Sequence, residues 1–439
     1  MSATPSPFAE SMRAAATTRL AGSGLAWLDA ERHAAMQAFQ ERGLPTTRNE
    51  LWKYTALRAL AQRAYAPAVD DGAGLAVPAV SWPPVVEDQA CVVFVNGVFR
   101  GDLSRLDDLP DGVTLQSLSS ALRDQPEPLR FLLGAGNDTE DDGFTLLNRA
   151  LAADGMILRV ANGVQVPEPL HVVHMGVASQ DPVAWHLRSL IELGEGASLQ
   201  IVEYHVGEPA TGHLANLVRE VNLRERAHLD WLVVQRGGAD ASLLRRSNAQ
   251  LHDSAVFEFH ALELGGKLAR HELRVELAGA RSRFRARGAF VLHGRQHSDT
   301  EVLVTHRGRD TTSDSLWRGV ADDRARGVVH GRILVLPGAD GADGSFYNKN
   351  LLLSPAAEID TRPALEIYAD EVQANHGATV GQLDENVLFY LRSRGISVDT
   401  ARRMLVRAFC AVALEDIEPA PLREWCEALL TEQLPGAAA

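Results

Sequence analysis

Three phrases in the middle of the chain, GEGASLQIVEY, RERAHLDWLVV and HDSAVFEFHAL, each set an alanine just before an outgoing β-type run. Those alanines, Ala197, Ala227 and Ala255, stand 30 and 28 residues apart. A unit of that size cannot bury its apolar face alone and does so by stacking on its neighbours, where small alanines suit tight inner corners. From residue 91 to about 347 the chain is mostly short β-type runs, such as CVVFVNGVF, MILRVANGVQV and LHVVHMGV, separated by Gly, Asp and Asn. Helical periodicity there is confined to TLLNRALA near residues 145–152. A parallel β-helix and a large antiparallel sandwich both answer to this pattern, because Asn96-Gly97 and Asn162-Gly163 are also hairpin signals. In a solenoid the open end strands invite further pairing, so helical ends or partners must cover them.

At 439 residues the chain is long enough for two or three structural units. Its net charge of −14 disfavours nucleic acid and anionic lipid as partners. No apolar run approaches the ~20 residues that cross a bilayer, and the first residues carry no signal-peptide-like apolar core. The expectation is a cytoplasmic protein. Only Cys91, Cys410 and Cys426 occur, without Cys-x-x-Cys spacing, so neither a disulfide framework nor a cluster held by this chain alone is expected. Cys410 and Cys426 read as small core residues, and Cys91 as part of a strand core. No Walker loop, H-E-x-x-H or G-x-S-x-G is present, so an enzyme of those classes is not expected.

Helices are legible at both ends. In GLAWLDAERHAAMQAFQERGLP, Leu28, Ala35, Met36 and Phe39 share one face, and Gly43 and Pro45 end the helix. The following RNELWKY reads as a docking loop anchored by Trp52. Residues 78–84 are proline-rich and mark a boundary. Near the other end, Asp384 is a helix N-cap with Val387, Leu388 and Leu391 as its stripe and Gly395 as its stop. A second helix places Ala401, Met404, Leu405, Ala408, Phe409 and Val412 on a buried face; a third aligns Leu422, Trp425, Cys426, Leu429 and Leu430.

The wording NLLLS, LEIYAD, HGATVG and FYLRSRGI, in this order within residues 346–395, resembles the C-terminal signature of the SufB/SufD family, on its SufD side. Arg48, Glu50, Trp52, Lys53 and Tyr54 resemble its N-terminal signature. That resemblance implies a right-handed parallel β-helix core flanked by helical regions, divided as residues 1–84, 85–375 and 376–439. It implies a subunit of the SufBCD iron-sulfur assembly complex that is not itself an ATPase and supports iron acquisition and nascent cluster assembly. The implied partners are SufB, as a heterodimer, and the ATPase SufC. SufC would dock on the C-terminal helices, with Leu388, Met404, Leu405, Phe409 and Trp425 as contact candidates. A homodimer of the isolated chain is also open.

His376 is the leading site candidate. An imidazole can ligate a metal or move a proton near neutral pH, and Gly377 beside it permits close approach of a second backbone. The resemblance puts this histidine at the SufB interface, where iron or a nascent cluster would pass transiently and no cofactor would stay on the isolated chain. Many family members carry a cysteine two residues earlier; here that position is Ala374, which removes a thiolate from the site. A second cluster lies in HGRQHSDTEVLVTH: His293 and, if the segment is extended, His297 and Asp299 on one face, with His306 further on. It reads either as a two-histidine, one-carboxylate metal set or as a polar turn network. Asp343, Asn348 and Asn350 read as structural. A SufB-like cluster scaffold, a stand-alone metal-binding β-helix and a carbohydrate-active β-helix are the alternatives.

Overall fold

A computed structural model describes residues 6–68, 89–107, 109–134, 142–208 and 211–434. The proline-rich boundary at 78–84 lies outside them. The middle of the chain is a parallel β-solenoid in which successive strands fall alternately into two ten-stranded sheets. The first sheet runs from Val113–Ser117 to Glu358–Ile367, and the second from Val98–Phe99 to Gln373–Gly381. Coils stack in register, so that Trp231 lies between Ile201 and Phe259 of its neighbours. Inward residues of both sheets form one core that includes Trp231, Phe257, Phe284, Phe290, Trp317 and Phe346.

The alanine repeat is one corner of this stack. Ala197, Ala227 and Ala255 are buried, and each follows a residue of positive φ: Gly196, Arg226 and Ser254. The N–H groups of those three donate to Glu225, Asp253 and Ala280 carbonyls of the next coil at 2.8, 2.9 and 2.8 Å, which satisfies the corner without a helix or loop. The same corner continues through buried Ser282, Thr311 and Ala342. Ladders along the stack are parallel, which excludes the sandwich. The antiparallel pairs, Cys91–Val95 with Val98–Phe99 and Val113–Ser117 with Met156–Val160, lie at the first end. Asn96 and Gly97, both at positive φ, form the hairpin their sequence signals; Asn162-Gly163 turns the chain from one sheet to the other instead.

Helices cover both outer faces. Helices α1 (Pro7–Ala15), α2 (Ala26–Arg42) and α3 (Arg58–Ala61) lie over the first sheet, where Phe8, Met12, Met36, Phe39 and Trp52 meet Ala184, Leu214 and Leu244. Gly43 closes α2, and its buried residues are Leu28, Ala35, Met36 and Phe39, as the spacing predicts. Three further helices, α4 (Leu118–Asp124), α5 (Glu127–Gly134) and α6 (Gly143–Leu151), fall inside the span expected to be solenoid. They join the N-terminal helical layer through Phe144, Leu147, Leu118 and Leu122.

At the other end α7 (Glu385–Ser393) packs on α8 (Val398–Ala411), and α8 and α9 (Ala420–Glu432) fold back over the second sheet, onto Val202, Tyr204, Leu232, Val234 and Val291. They therefore do not cap the last coil, and of the two covers expected for an open end, helical ends or partners, the C-terminal helices supply none there. The expected boundary at 376 falls inside the last strand, which runs on to Gly381 before the helices begin. Asp384 caps α7 by accepting from the Asn386 N–H at 2.8 Å. The face of α8 differs from the stripe read in sequence: Ala401, Val406 and Cys410 are buried, whereas Met404, Ala408 and Val412 are exposed. Its apolar residues surround the helix, so docking on the sheet, not periodicity, selects the buried face.

Candidate functional site

No element among the described residues covers the end of the solenoid at the last coil. Among the described residues, Gln373–Gly381 pairs only with Asp343–Leu352, and Glu358–Ile367 only with Arg326–Val335, so each sheet ends in an open strand edge. His376 sits in mid-strand, in register with the core residue Phe346. It shares the inward face with Ala374, which is in register with Gly344, and with Val380. With no further coil beyond it, His376 is exposed, as are Ile367, Tyr368 and Val380. Gly377 lies on the opposite face, where an added Cβ would come within 3.0 Å of the Tyr347 ring. An aromatic side chain, not a second backbone, occupies the approach expected there. Behind the open coil, Asn348 and Asn350 are buried; Asn350 Nδ2 donates to Asn348 Oδ1 at 2.6 Å and to the Thr379 carbonyl at 3.1 Å.

The second cluster divides between the two faces of its strand. His297 and Asp299 point outward, as their spacing predicts, and both meet Thr55, whose hydroxyl lies 2.8 Å from His297 Nε2 and donates to Asp299. Arg270 pairs with Asp299 and, at 2.9 Å each, with Glu272 and Glu301, while its guanidinium lies 4.1 Å from the Trp52 ring centre. Trp52 in turn stacks on Phe144 at 5.4 Å. Arg246 ties Glu272 to Asp142, the N-cap of α6. This network fastens the N-terminal layer to the sheet. His306 points into the core, held at 2.8 Å by Thr311 and 2.9 Å by Ser313. His293 is exposed in a turn. The set does not converge, so the geometry supports the polar network over a metal set there. Burial pushes His297 and His306 each down to about 4, so both rings are neutral at pH 7.

Of the docking candidates on the C-terminal helices, Leu388 is buried within the chain. Phe409 lies beneath Arg318 at 5.2 Å, and Trp425 meets Tyr204 edge-on at 5.5 Å. Leu405 is half-buried and Met404 is 48% exposed. Sequence reasoning missed the larger apolar exposures beside it, Phe389 at 72% and Tyr390 at 55%. Both lie off the stripe that buries α7, and a stripe marks only the face a helix buries in its own chain. All three cysteines are buried, with burial pushing Cys91 up to about 11 and Cys410 and Cys426 up to about 12. None supplies a thiolate near neutral pH.

Residues 175–409 match the family described as SUF system FeS cluster assembly, SufBD core domain, and residues 12–172 match the SufBD protein N-terminal region. The chain belongs to the SufBD family. It is 29% identical over 411 residues to the iron-sulfur cluster assembly protein SufD of Escherichia coli (strain K12), covering 93% of either chain. A SufBD family protein of Synechocystis is 29% identical over 402 residues, 90% of this chain and 88% of that one. The chloroplastic protein ABCI7 of Arabidopsis thaliana is 29% identical over 328 residues, 72% of this chain and 67% of that one. SufBD membership gives the chain a role in iron-sulfur cluster assembly. Among the described residues, no helix is long and apolar enough to cross a membrane.

Proposed function

We propose that this chain is the SufD-type subunit of a SufBCD assembly complex, a scaffold without ATPase activity whose open last coil abuts a SufB-type solenoid. The observation that carries the reading is the uncovered coil itself: two free strand edges with Ile367, Val380 and Tyr368 exposed around His376. Unpaired edges of this kind are normally blocked or paired, and nothing within the described residues does either. A solenoid end of similar section would continue both sheets and bury the apolar rim. His376 would then lie in the junction, able to hold iron through nitrogen or to pass a proton while the cluster forms. Ala374 and the three buried thiols leave the thiolate ligands to the partner, which favours this support role over a SufB-like scaffold.

The exposed apolar residues Phe389, Tyr390 and Met404 on α7 and α8 form the surface on which a SufC-type ATPase would dock. Because α7 packs on α8 and α8 on the second sheet, a pull on them would be felt along the solenoid. Co-expression with SufB- and SufC-type proteins of the same source tests the reading. The three chains are expected to copurify, and His376→Ala is expected to assemble the complex but lose cluster formation, followed by visible absorbance. Recovery of neither partner would sink the assignment. Full cluster formation by His376→Ala would remove the imidazole from it.

A further inference from the structure

Far from the open end, the apolar core of the solenoid is interrupted by a band of ionisable side chains that the assembly role does not use. His174, Glu203 and His205 bring three potential ligand atoms within 4.8 Å of one another, all buried, and no other such group occurs among the described residues. His174 and His205 are in register on adjacent coils, so their rings stack face to face with centroids 4.8 Å apart and planes 10° apart. Both direct Nε2 at one carboxylate oxygen: Glu203 Oε1 lies 3.4 Å from His174 and 2.5 Å from His205. The other oxygen, Oε2, accepts from Trp231 Nε1 at 3.1 Å, which fixes the carboxylate plane. Burial lowers both imidazoles, His205 to about 3, so each is neutral and keeps one nitrogen lone pair.

We propose that His174, Glu203 and His205 form a lumenal site for a first-row divalent transition cation, bound together with an anionic co-ligand. Two imidazoles and one carboxylate, oriented by an outer hydrogen bond, suit ions such as Fe²⁺, Co²⁺ or Zn²⁺ and not Mg²⁺ or Ca²⁺. The co-ligand follows from charge. With neutral histidines, Arg219 cancels Glu203 and Arg245 cancels Glu263, so a bare divalent ion would leave two positive charges uncompensated in an apolar core. Donors for an anion are at hand. Arg245 is buried with Nε and Nη1 unpartnered, and its charge is felt at both His174 and His205. Arg219, now paired with Glu203, would turn part of its guanidinium to the same anion. This site departs from the expectation that the isolated chain holds no metal, and it stands whether or not the chain joins a SufBCD complex.

The test uses the full chain, tag removed, loaded with Co²⁺ in chloride buffer both natively and during refolding from urea, then desalted. About one equivalent of Co²⁺ should be retained by elemental analysis, with ligand-field absorption in the visible and quenched tryptophan emission. His205→Asn and Glu203→Gln should lose retention at least tenfold, whereas His228→Asn, at a partly exposed histidine with its own partner Asp230, should not. Because core variants can unfold, Trp231→Phe supplies a second variant that leaves the three ligands in place and removes only the outer hydrogen bond: it should retain less Co²⁺ than the native chain but more than His205→Asn, with less quenching per bound ion. No retained Co²⁺ under either loading, with native circular dichroism, overturns the proposal. So does equal retention by folded His205→Asn, or quenching that Trp231→Phe leaves unchanged.

Discussion

The coils beneath the N-terminal helices and the last coil, residues 358–381, are built from the same alternation of strand residues, and their surroundings differ. On the covered coils even the outward residues are buried: Arg270, Glu272, Asp299 and Glu301 form a paired network under Trp52 and Thr55. On the last coil even inward residues such as His376 and Val380 are exposed, because they have a coil on one side only. The first arrangement stabilises the chain by itself. The second leaves apolar area and backbone donors whose burial requires another molecule, so mutations in the two regions should act on different quantities: folding in one, association in the other.

The largest separation should come from arginines. Arg270→Ala removes the cation that three buried carboxylates share and that lies above Trp52, which should cost about 3–5 kcal/mol in urea unfolding. Arg362→Ala, in an exposed pair with Glu50 at the last coil, should leave the urea midpoint where it was. Equal losses in the two variants would break the distinction between the regions.

Acid should act on the covered core in the same direction. His306 is neutral in the fold, pushed to about 4 by burial, and has an ordinary value near ~6.5 when unfolded. The unfolded chain therefore binds more protons between those values, so this contribution is complete above about pH 6.5 and is lost as pH falls toward 4. At pH 5 the loss from His306 alone should be about 2 kcal/mol. The slope of stability against pH, measured by urea titration from pH 7 to 5, should become shallower in His306→Gln; an unchanged slope would mean that the ring does not titrate with folding.

Legibility in the sequence followed the same physical divide. Local signals were sufficient for α2, α7 and the corner alanines, because caps, stops and small corner residues act within a few positions. The corner faded from view beyond Ala255 because Ser282 and Thr311 answer the same steric demand with different residue types before alanine returns at Ala342. The last strand was read as a lead-in to a helix, since HGATVG has few strong strand formers and owes its conformation to pairing with Asp343–Leu352. The lumenal triad left no trace in the pattern. Segments such as LHVVHMG and IVEYHVG are apolar on both faces, because α8 and α9 cover the outer one, so inward and outward residues do not separate by polarity. Exposure of Phe389 and Tyr390 was equally unreadable, since a stripe marks the face that a helix buries in its own chain and says nothing of the face it offers to another.

The smallest effect on folding should accompany the sharpest effect on association. Ile367 faces inward on the last coil, in register with core residue Val335, yet is 42% exposed because no coil follows. A lysine there can carry its amine past the open end into water, so Ile367→Lys should change unfolding by about 0.5 kcal/mol or less. The same charge would be trapped against an incoming solenoid end, where burial without a counter-charge costs several kcal/mol. Copurification with the SufB-type partner should therefore fall sharply while the urea midpoint holds. A complex that survives Ile367→Lys undiminished would show that the contact avoids the inner face of the last coil, and with it the surroundings argued for His376; a lowered midpoint would show that this coil is part of the folded core after all.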